Sequence, residues 1–357
     1  MNMTSQIIGA DLGDPVTALH LYPLADAAFL VIAGTALGKV WLYDSLSHGR
    51  LQLAGHSEDA IRGVFCDGSH VYAAVGDVIC RKWRITIDNS APDASLLMTP
   101  SYRGVTVALE PPATFRIERR GSALLKYLVQ RESEMVCVYP GMTTFFDILT
   151  TEQSMAPYRL LTSEQNVVNS VPLDFYGRRI IFGETLEDRD ALQFRVVDLE
   201  EGRVVAMGTV DGTNTPPSLA DVSPLKLFAD SSARVDVQHV KFFDQGSRVL
   251  MVLWVSGRSV LAAFDSVSGE LLERFSGGGV GRILDVDVME DDASCLFEDG
   301  SIYKWNLFEG GGPKSKGLVD KKIFKLDQKY LLRQRKNSAA VAGDKGVWLA
   351  LMLDIHQ

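Results

Sequence analysis

The sequence has no apolar stretch long enough to cross a membrane as a helix. Its longest runs are FLVIA (29–33) and VLMVLWV (249–255), far short of the roughly 20 residues a span requires. They read as buried strands, and no membrane insertion is expected. The opening MNMTSQIIGADLGDP lacks a basic region followed by an apolar one. It is also not Arg-rich, so neither a secretory leader nor a mitochondrial presequence is expected. Cysteine is scarce: Cys66, Cys80, Cys137 and Cys295 are scattered, and none forms a CxxC pair. That usage fits small buried thiols in a reducing compartment, the cytoplasm or nucleus. Net positive charge is missing too. The formal charge is −9, which argues against broad electrostatic binding to nucleic acid or anionic membrane.

Helical periodicity is also scarce. Short β-branched, aromatic and alternating runs recur instead, bounded by Gly, Asp, Asn, Ser or Pro. VTALHLY (16–22), AFLVIAG (28–34) and GKVWLYD (38–44) are early examples; RVLMVLWVSG (248–257), SVLAAFD (259–265) and ILDVDVM (283–289) come later. Many short strands with turn signals every 8–12 residues or so mean an all-β sandwich, barrel or repeat array.

Spacing chooses among these. Strands closing on a large residue followed by a polar or turn residue occur at Tyr43-Asp44, Trp83-Arg84, Tyr139-Pro140, Val197-Asp198, Phe264-Asp265, Trp305-Asn306 and Leu353-Asp354. The gaps are 40, 56, 58, 67, 41 and 48 residues. The short gaps match the period of about 40–45 residues of a four-stranded propeller blade, and the long ones leave room for loops. After three of these positions a Gly precedes a returning apolar strand, at Gly49, Gly202 and Gly269. The same turn problem is solved the same way three times.

These units resemble the WD40 repeat, which carries a Gly-His before its second strand, a turn Asp and a closing Trp-Asp. The second unit matches best, with Gly55-His56, Asp77 and Trp83; the sixth has Asp299-Gly300 and Trp305 but no Gly-His. The resemblance implies an all-β fold, a seven-bladed β-propeller with four antiparallel strands per blade. It also implies a hydrogen bond from His56 to Asp77. Six or eight blades stay open, because residues 85–115 and 140–170 are poorly patterned. The propeller is expected to span 1–357 as one domain, with flexible insertions at 210–224 and 310–320. One blade cannot bury both faces of its sheet, so neighbours must stack around a ring. MTSQIIGA is expected to supply a strand of the first blade beside GVWLALMLDI from the last. That seam is expected to be the weak point.

Chemistry-bearing motifs fall short of their requirements. Gly34-Thr-Ala-Leu-Gly38-Lys39 has three residues between its glycines where a phosphate loop needs four. Val40 stands where Ser or Thr would bind Mg²⁺, so the segment reads as a tight turn. Gly277-Gly-Gly-Val-Gly281 lies between strands and reads as a flexible loop. Asp285 and Asp287 share one face of a strand, with Glu290, Asp291 and Asp292 just beyond. Without a Gly-centred ligand loop they read as a solvated acidic region more readily than a Ca²⁺ site. The histidines show no HExxH spacing, and no GxSxG elbow, kinase set or Cys/His dyad is present. No catalytic residue, cofactor or metal is expected. A phosphoinositide-binding subfamily of propellers carries paired arginines after the returning strand; here that place reads Phe275-Ser276-Gly277-Gly278. The guanidinium fork for a phosphate is missing.

One charged segment stands out. From Lys314 to Lys336 there are nine Lys or Arg (Lys314, Lys316, Lys321, Lys322, Lys325, Lys329, Arg333, Arg335 and Lys336) against Asp320 and Asp327. As a surface patch it would face an acidic protein partner, or RNA as the alternative. The expectation from the resemblance is a non-catalytic scaffold subunit in a stable hetero-complex with other proteins. The alternative is a subunit of an RNA- or nucleic-acid-processing complex that contacts RNA through 314–336.

Overall fold

The computed structural model describes residues 6–10, 14–24, 29–44, 50–53, 58–76, 79–87, 105–107, 113–116, 127–139, 142–147, 167–186, 192–201, 203–209, 235–255, 258–275, 277–319, 330–335, 338–343, 346–351 and 353–354. Strand β1 (Gln6–Ala10) opens the chain. The first blade holds β2 (Val16–Pro23), β3 (Phe29–Thr35), β4 (Val40–Asp44) and β5 (Arg50–Gln52). The second holds β6 (Ile61–Cys66), β7 (His70–Val75) and β8 (Ile79–Ile87), with β9 (Val105–Val107) and β10 (Ala113–Arg116) both paired to β8. The third holds β11 (Tyr127–Arg131), β12 (Glu134–Tyr139) and β13 (Met142–Asp147). The fourth holds β14 (Val167–Tyr176), β15 (Arg179–Leu186), β16 (Leu192–Asp198) and β17 (Arg203–Thr209). The fifth holds β18 (Val235–Phe243), β19 (Arg248–Val255), β20 (Arg258–Asp265) and β21 (Leu271–Phe275). The sixth holds β22 (Ile283–Met289), β23 (Asp292–Phe297), β24 (Ser301–Asn306) and β25 (Ser315–Leu318). The seventh holds β26 (Leu331–Arg335), β27 (Ser338–Gly343) and β28 (Gly346–Leu351).

The first strand of each sheet is innermost. β2 lies against β6 and β26, β14 against β11 and β18, and β22 against β18 and β26. Gln130 on β11 completes the circle by donating from Nε2 to the Val64 carbonyl of β6 at 2.8 Å. Seven antiparallel sheets in a closed ring make a seven-bladed β-propeller.

Closure follows the expectation only in part. β1 pairs with β28, within GVWLALMLDI as expected, but as the outermost strand of the last blade, with no part in the first. Leu353-Asp354, read as the closing mark of the seventh unit, instead forms strand β29 on the outer edge of the sixth blade, Leu353 opposite Lys316 and Asp354 opposite Ser315. An open sheet edge is a row of unpaired amides and carbonyls. Both chain ends are spent covering one.

The core is divided among the blade interfaces. Every residue of β3 is buried, because neighbouring blades cover both faces of a middle strand. Side chains alternate across a strand, so adjacent residues enter different interfaces. Leu30 and Ile32 pack toward the second blade, whereas Val31 and Ala33 pack toward the seventh. In β19, Val249, Met251 and Leu253 face the fourth blade, and Leu250 and Val252 face the sixth. This explains why VLMVLWV is apolar without alternation. A strand sandwiched on both sides reads as a continuous run. The outer strand β21 has only its last residue buried.

The turns repeat as well. One face of the ring, the hairpin face, carries the turns between first and second strands and between third and fourth. There a residue near or just past the end of the third strand donates its N–H to a carbonyl of the first turn. Ile85 donates to Ser69 at 2.8 Å, Leu199 to Arg178 at 2.9 Å, Ser266 to Ser247 at 2.9 Å and Leu307 to Asp291 at 2.7 Å. The opposite face, the link face, carries the blade-to-blade connections. There Ala36 donates to Pro15 at 2.9 Å, Gly76 to Ala60 at 3.0 Å and Glu298 to Arg282 at 3.0 Å. These bonds tie adjacent turns of a blade into one plate.

Candidate interaction surfaces

The closing positions have a structural cause. Asp198 Oδ1 accepts the N–H groups of Glu200 and Glu201 at 3.0 and 3.2 Å. Asp265 Oδ1 accepts those of Val267 and Ser268 at 2.9 and 2.7 Å, and Asn306 Oδ1 those of Phe308 and Glu309, both at 3.0 Å. A short side-chain oxygen satisfies two turn amides that no strand can reach. The turn amides of Ser268 and Val267 hold the Asp265 carboxyl below the usual carboxylate range despite some burial.

Trp83 and Trp305 lie in the cores facing the neighbouring blade, 4% and 0% exposed. Asp299 Oδ1 accepts Ser301 N–H at 2.9 Å and also the Ser301 hydroxyl. Its Oδ2 accepts Val280 N–H at 3.4 Å. His56 and Asp77 lie outside the described residues, as does 210–224. The Gly277–Gly281 loop, expected as flexible, is fastened by that bond and by Arg282 N–H to Glu298 at 3.0 Å. It lies flat on the sixth blade. A Cβ on Gly278 would come within 3.0 Å of Phe297 and 3.2 Å of Trp305, so side chains are excluded there. The Gly34–Lys39 turn spends its amides internally: Thr35 N–H on the Lys39 carbonyl, Lys39 N–H on Thr35 Oγ1, and Leu37 N–H on the Asp14 carboxylate. That leaves no cradle for a phosphate.

The basic segment is divided by the radial path of the chain. Lys314 and Lys316 sit at and on the outer strand β25, whereas Arg333 and Arg335 belong to the innermost strand of the next blade. Three strand spacings across a blade are about 14 Å. Lys314 pairs with Glu309 at 2.5 Å, and the Lys316 ammonium lies 5.0 Å over the Tyr303 ring. Arg333 faces Asp287 at 3.9 Å. Lys321, Lys322, Lys325, Lys329 and Lys336 lie outside the described residues. Within 310–320, expected as a flexible insertion, residues 315–318 form β25, and Gly311 makes a parallel bridge to Phe275.

The inner strands carry polar residues that sequence reasoning missed. Asp174, 3% exposed, accepts Phe242 N–H at 2.6 Å across the joint between the fourth and fifth blades. Arg131 lies 3.4 Å from that carboxylate, donates to the Phe242 carbonyl at 3.1 Å, and stacks over Tyr176 at 4.7 Å. At the sixth-to-seventh joint, Asp285 Oδ2 accepts Leu332 N–H at 2.7 Å and Asp287 Oδ2 accepts Gln334 N–H at 2.8 Å. Gln334 Nε2 returns two bonds of 2.9 Å, to the carbonyls of Asp287 and Asp292. The aspartates weighed as Ca²⁺ ligands are therefore occupied with backbone amides. Burial pushes the Asp287 carboxyl above its ordinary range, partly offset by Arg333. Among the described residues, no group of three or more His, Cys, Asp or Glu is placed to hold a metal.

The chain superimposes over its full length on solved propellers. The Saccharomyces cerevisiae protein Sqt1 is 12% identical, with a TM-score of 0.54 and all of both chains covered. The computationally designed protein Ika8 is also 12% identical, with a TM-score of 0.54, covering 98% of this chain and 100% of that one. The likeness is one of fold. No family model matches the sequence, and no curated protein matches it. The residues that hold this ring, such as Arg131, Asp174 and Gln334, follow no fixed repeat spacing. Among the described residues, no helix is long and apolar enough to cross a membrane. All four cysteines are free and buried.

The hairpin face has a further feature that the sequence did not flag. Phe308 is 44% exposed and Val267 43% exposed. The four described non-glycine residues with positive φ, Glu132, Asp244, Gln245 and Glu290, all sit at first-to-second-strand turns there. The only prior signal was composition: Glu290, Asp291 and Asp292 stood out as an acidic run.

Proposed function

We propose that the chain is a non-catalytic, WD40-like scaffold subunit that holds other proteins in a multi-subunit assembly. What supports this reading is the use made of the polar inner strands. Asp174, Asp285, Asp287 and Gln334 each spend their hydrogen-bonding capacity on a neighbouring blade's backbone or on their own. Charged groups used in this way stiffen the ring. What the ring offers outward is two faces of fastened turns and a rim, on which separate partners can dock together. Fold alone does not fix function, so partner capture is the deciding measurement. Affinity purification of the tagged chain, with mass spectrometry and light scattering, should return a stoichiometric hetero-complex. A chain that purifies alone as a monomer overturns the scaffold reading. RNA binding that falls steeply between 50 and 200 mM salt would favour the nucleic-acid alternative.

A further inference from the structure

We propose that the hairpin face of the fifth and sixth blades is a docking surface for a basic polypeptide segment of another protein, one with a large apolar side chain between Lys or Arg residues. The inference rests on the scaffold reading and names the chemistry of one partner.

The surface is continuous through stated contacts. The Phe308 ring meets Phe243 edge-on at 5.9 Å, and the Arg248 guanidinium covers it at 4.8 Å. Arg248 lies opposite Asp265 in the sheet, and the turn that Asp265 caps presents Val267. On the other side of Phe308, Leu307 N–H bonds to the Asp291 carbonyl at 2.7 Å. Two exposed apolar side chains thus stand on neighbouring turns fixed by backbone bonds.

The surrounding charge selects the occupant. The cations here are already matched: Arg248 with Asp244 at 3.2 Å, Lys304 with Asp292 at 2.6 Å and Lys314 with Glu309 at 2.5 Å. Glu270, Glu290 and Asp291 are exposed and have no cation partner among the described residues. The excess is negative on both sides of the apolar pair. An acidic or neutral segment would leave these carboxylates unmatched, whereas Lys or Arg flanking an apolar residue meets both features. Glu290 also holds φ at 52°. Glycine would adopt that angle without strain, yet a carboxylate is presented there.

The test is selection from a phage-displayed library of random 12-residue peptides on the full chain, followed by fluorescence anisotropy of the enriched peptides. Enriched sequences are expected to place Lys or Arg on both sides of a Leu, Ile, Met or Phe. Joint Glu290→Lys and Asp291→Lys substitution should weaken their binding at least tenfold, and Phe308→Ala at least threefold. Val280→Ser, on the link face, should change it less than twofold. Circular dichroism melts confirm that each variant is folded, and the exposed charge reversals serve if Phe308→Ala is not. Enrichment of acidic or uncharged peptides, an empty selection, or binding unchanged by the charge reversal overturns the proposal. Co-purification of partners without such peptides would sink this surface and leave the scaffold reading standing.

Discussion

The joint between the fourth and fifth blades and the joint between the sixth and seventh face the same problem. Each innermost strand ends its sheet with open N–H and C=O groups, and burying these unpaired is costly. The first joint answers with one buried carboxylate, Asp174, and a guanidinium, Arg131, which lies within reach of the same strand's carbonyl. The second uses two carboxylates and an amide, with Gln334 bonded to Asp287 and Asp292 and accepting from Ser294 at 2.5 Å. In both, an aspartate two residues from the end of an inner strand accepts an amide of the next blade's inner strand. What differs is the donor that satisfies carbonyls beside it, Arg131 at one joint and Gln334 at the other.

Several measurements would break or sharpen this comparison. Trp305→Ala sets the scale for losing core packing, at the fifth-to-sixth interface that lies between the two joints. It should cost about 3–5 kcal/mol in a chemical melt, as aromatic truncations in cores do; a loss under about 1 kcal/mol would mean the indole does not carry the blade. Asp174→Ala should cost nearly as much, about 3–4 kcal/mol, because it strands Arg131 and the Phe242 amide in a buried joint. Gln334→Ala should cost about 1–3 kcal/mol by leaving buried backbone carbonyls unpaired. If Gln334→Ala proved as costly as Asp174→Ala, the joint held by a guanidinium would have no advantage over the one held by an amide.

Acid titration separates Asp287, at a joint, from Asp265, at a turn, by sign. The Asp287 carboxyl is raised in the folded chain, so its contribution is fullest below the ordinary carboxylate range and is lost as pH rises through the folded value. Asp265 is lowered, so its contribution is present above that range and is lost as pH falls through the folded value. Asp287→Asn should therefore leave stability at neutral pH unchanged or improved, while Asp265→Ala should remove part of the acid-side loss. Matching pH slopes from the two variants would refute the assignment. The smallest effect is expected from the thiols. Burial pushes Cys66, Cys80 and Cys137 up to about 12, so a thiol reagent at pH 8 should label them only on unfolding; fast labelling of the native chain would show that the blades open locally.

Much of the fold was legible. VTALHLY and ILDVDVM lie in strands, as does GKVWLYD from Val40 on, and Asp198, Asp265 and Asn306 cap turns at three closing positions. Capping is local: two amides within three residues need one short acceptor, so the pattern is visible along the chain. The path of the basic segment was not legible. A run of lysines and arginines is continuous in sequence, but the chain passes from the fourth strand of one blade to the innermost of the next between Leu318 and Leu331. Closure misled for a similar reason. Nothing local in Gln6–Ala10 or Leu353–Asp354 tells which of several open edges each will cover.

The sequence by itself determined that this protein is built from short strands, roughly how often the unit repeats, and that Asp198, Asp265 and Asn306 end a strand and cap its turn. Those are properties of neighbours along the chain, set by side-chain alternation and by amides a few residues away. Only the tertiary structure decided which sheet edge each terminus covers, which aspartates hold a neighbouring blade, and which face gathers exposed apolar and acidic groups. Those depend on residues brought together from distant units, such as Arg131 and Phe242, where any side chain of suitable reach and charge can serve.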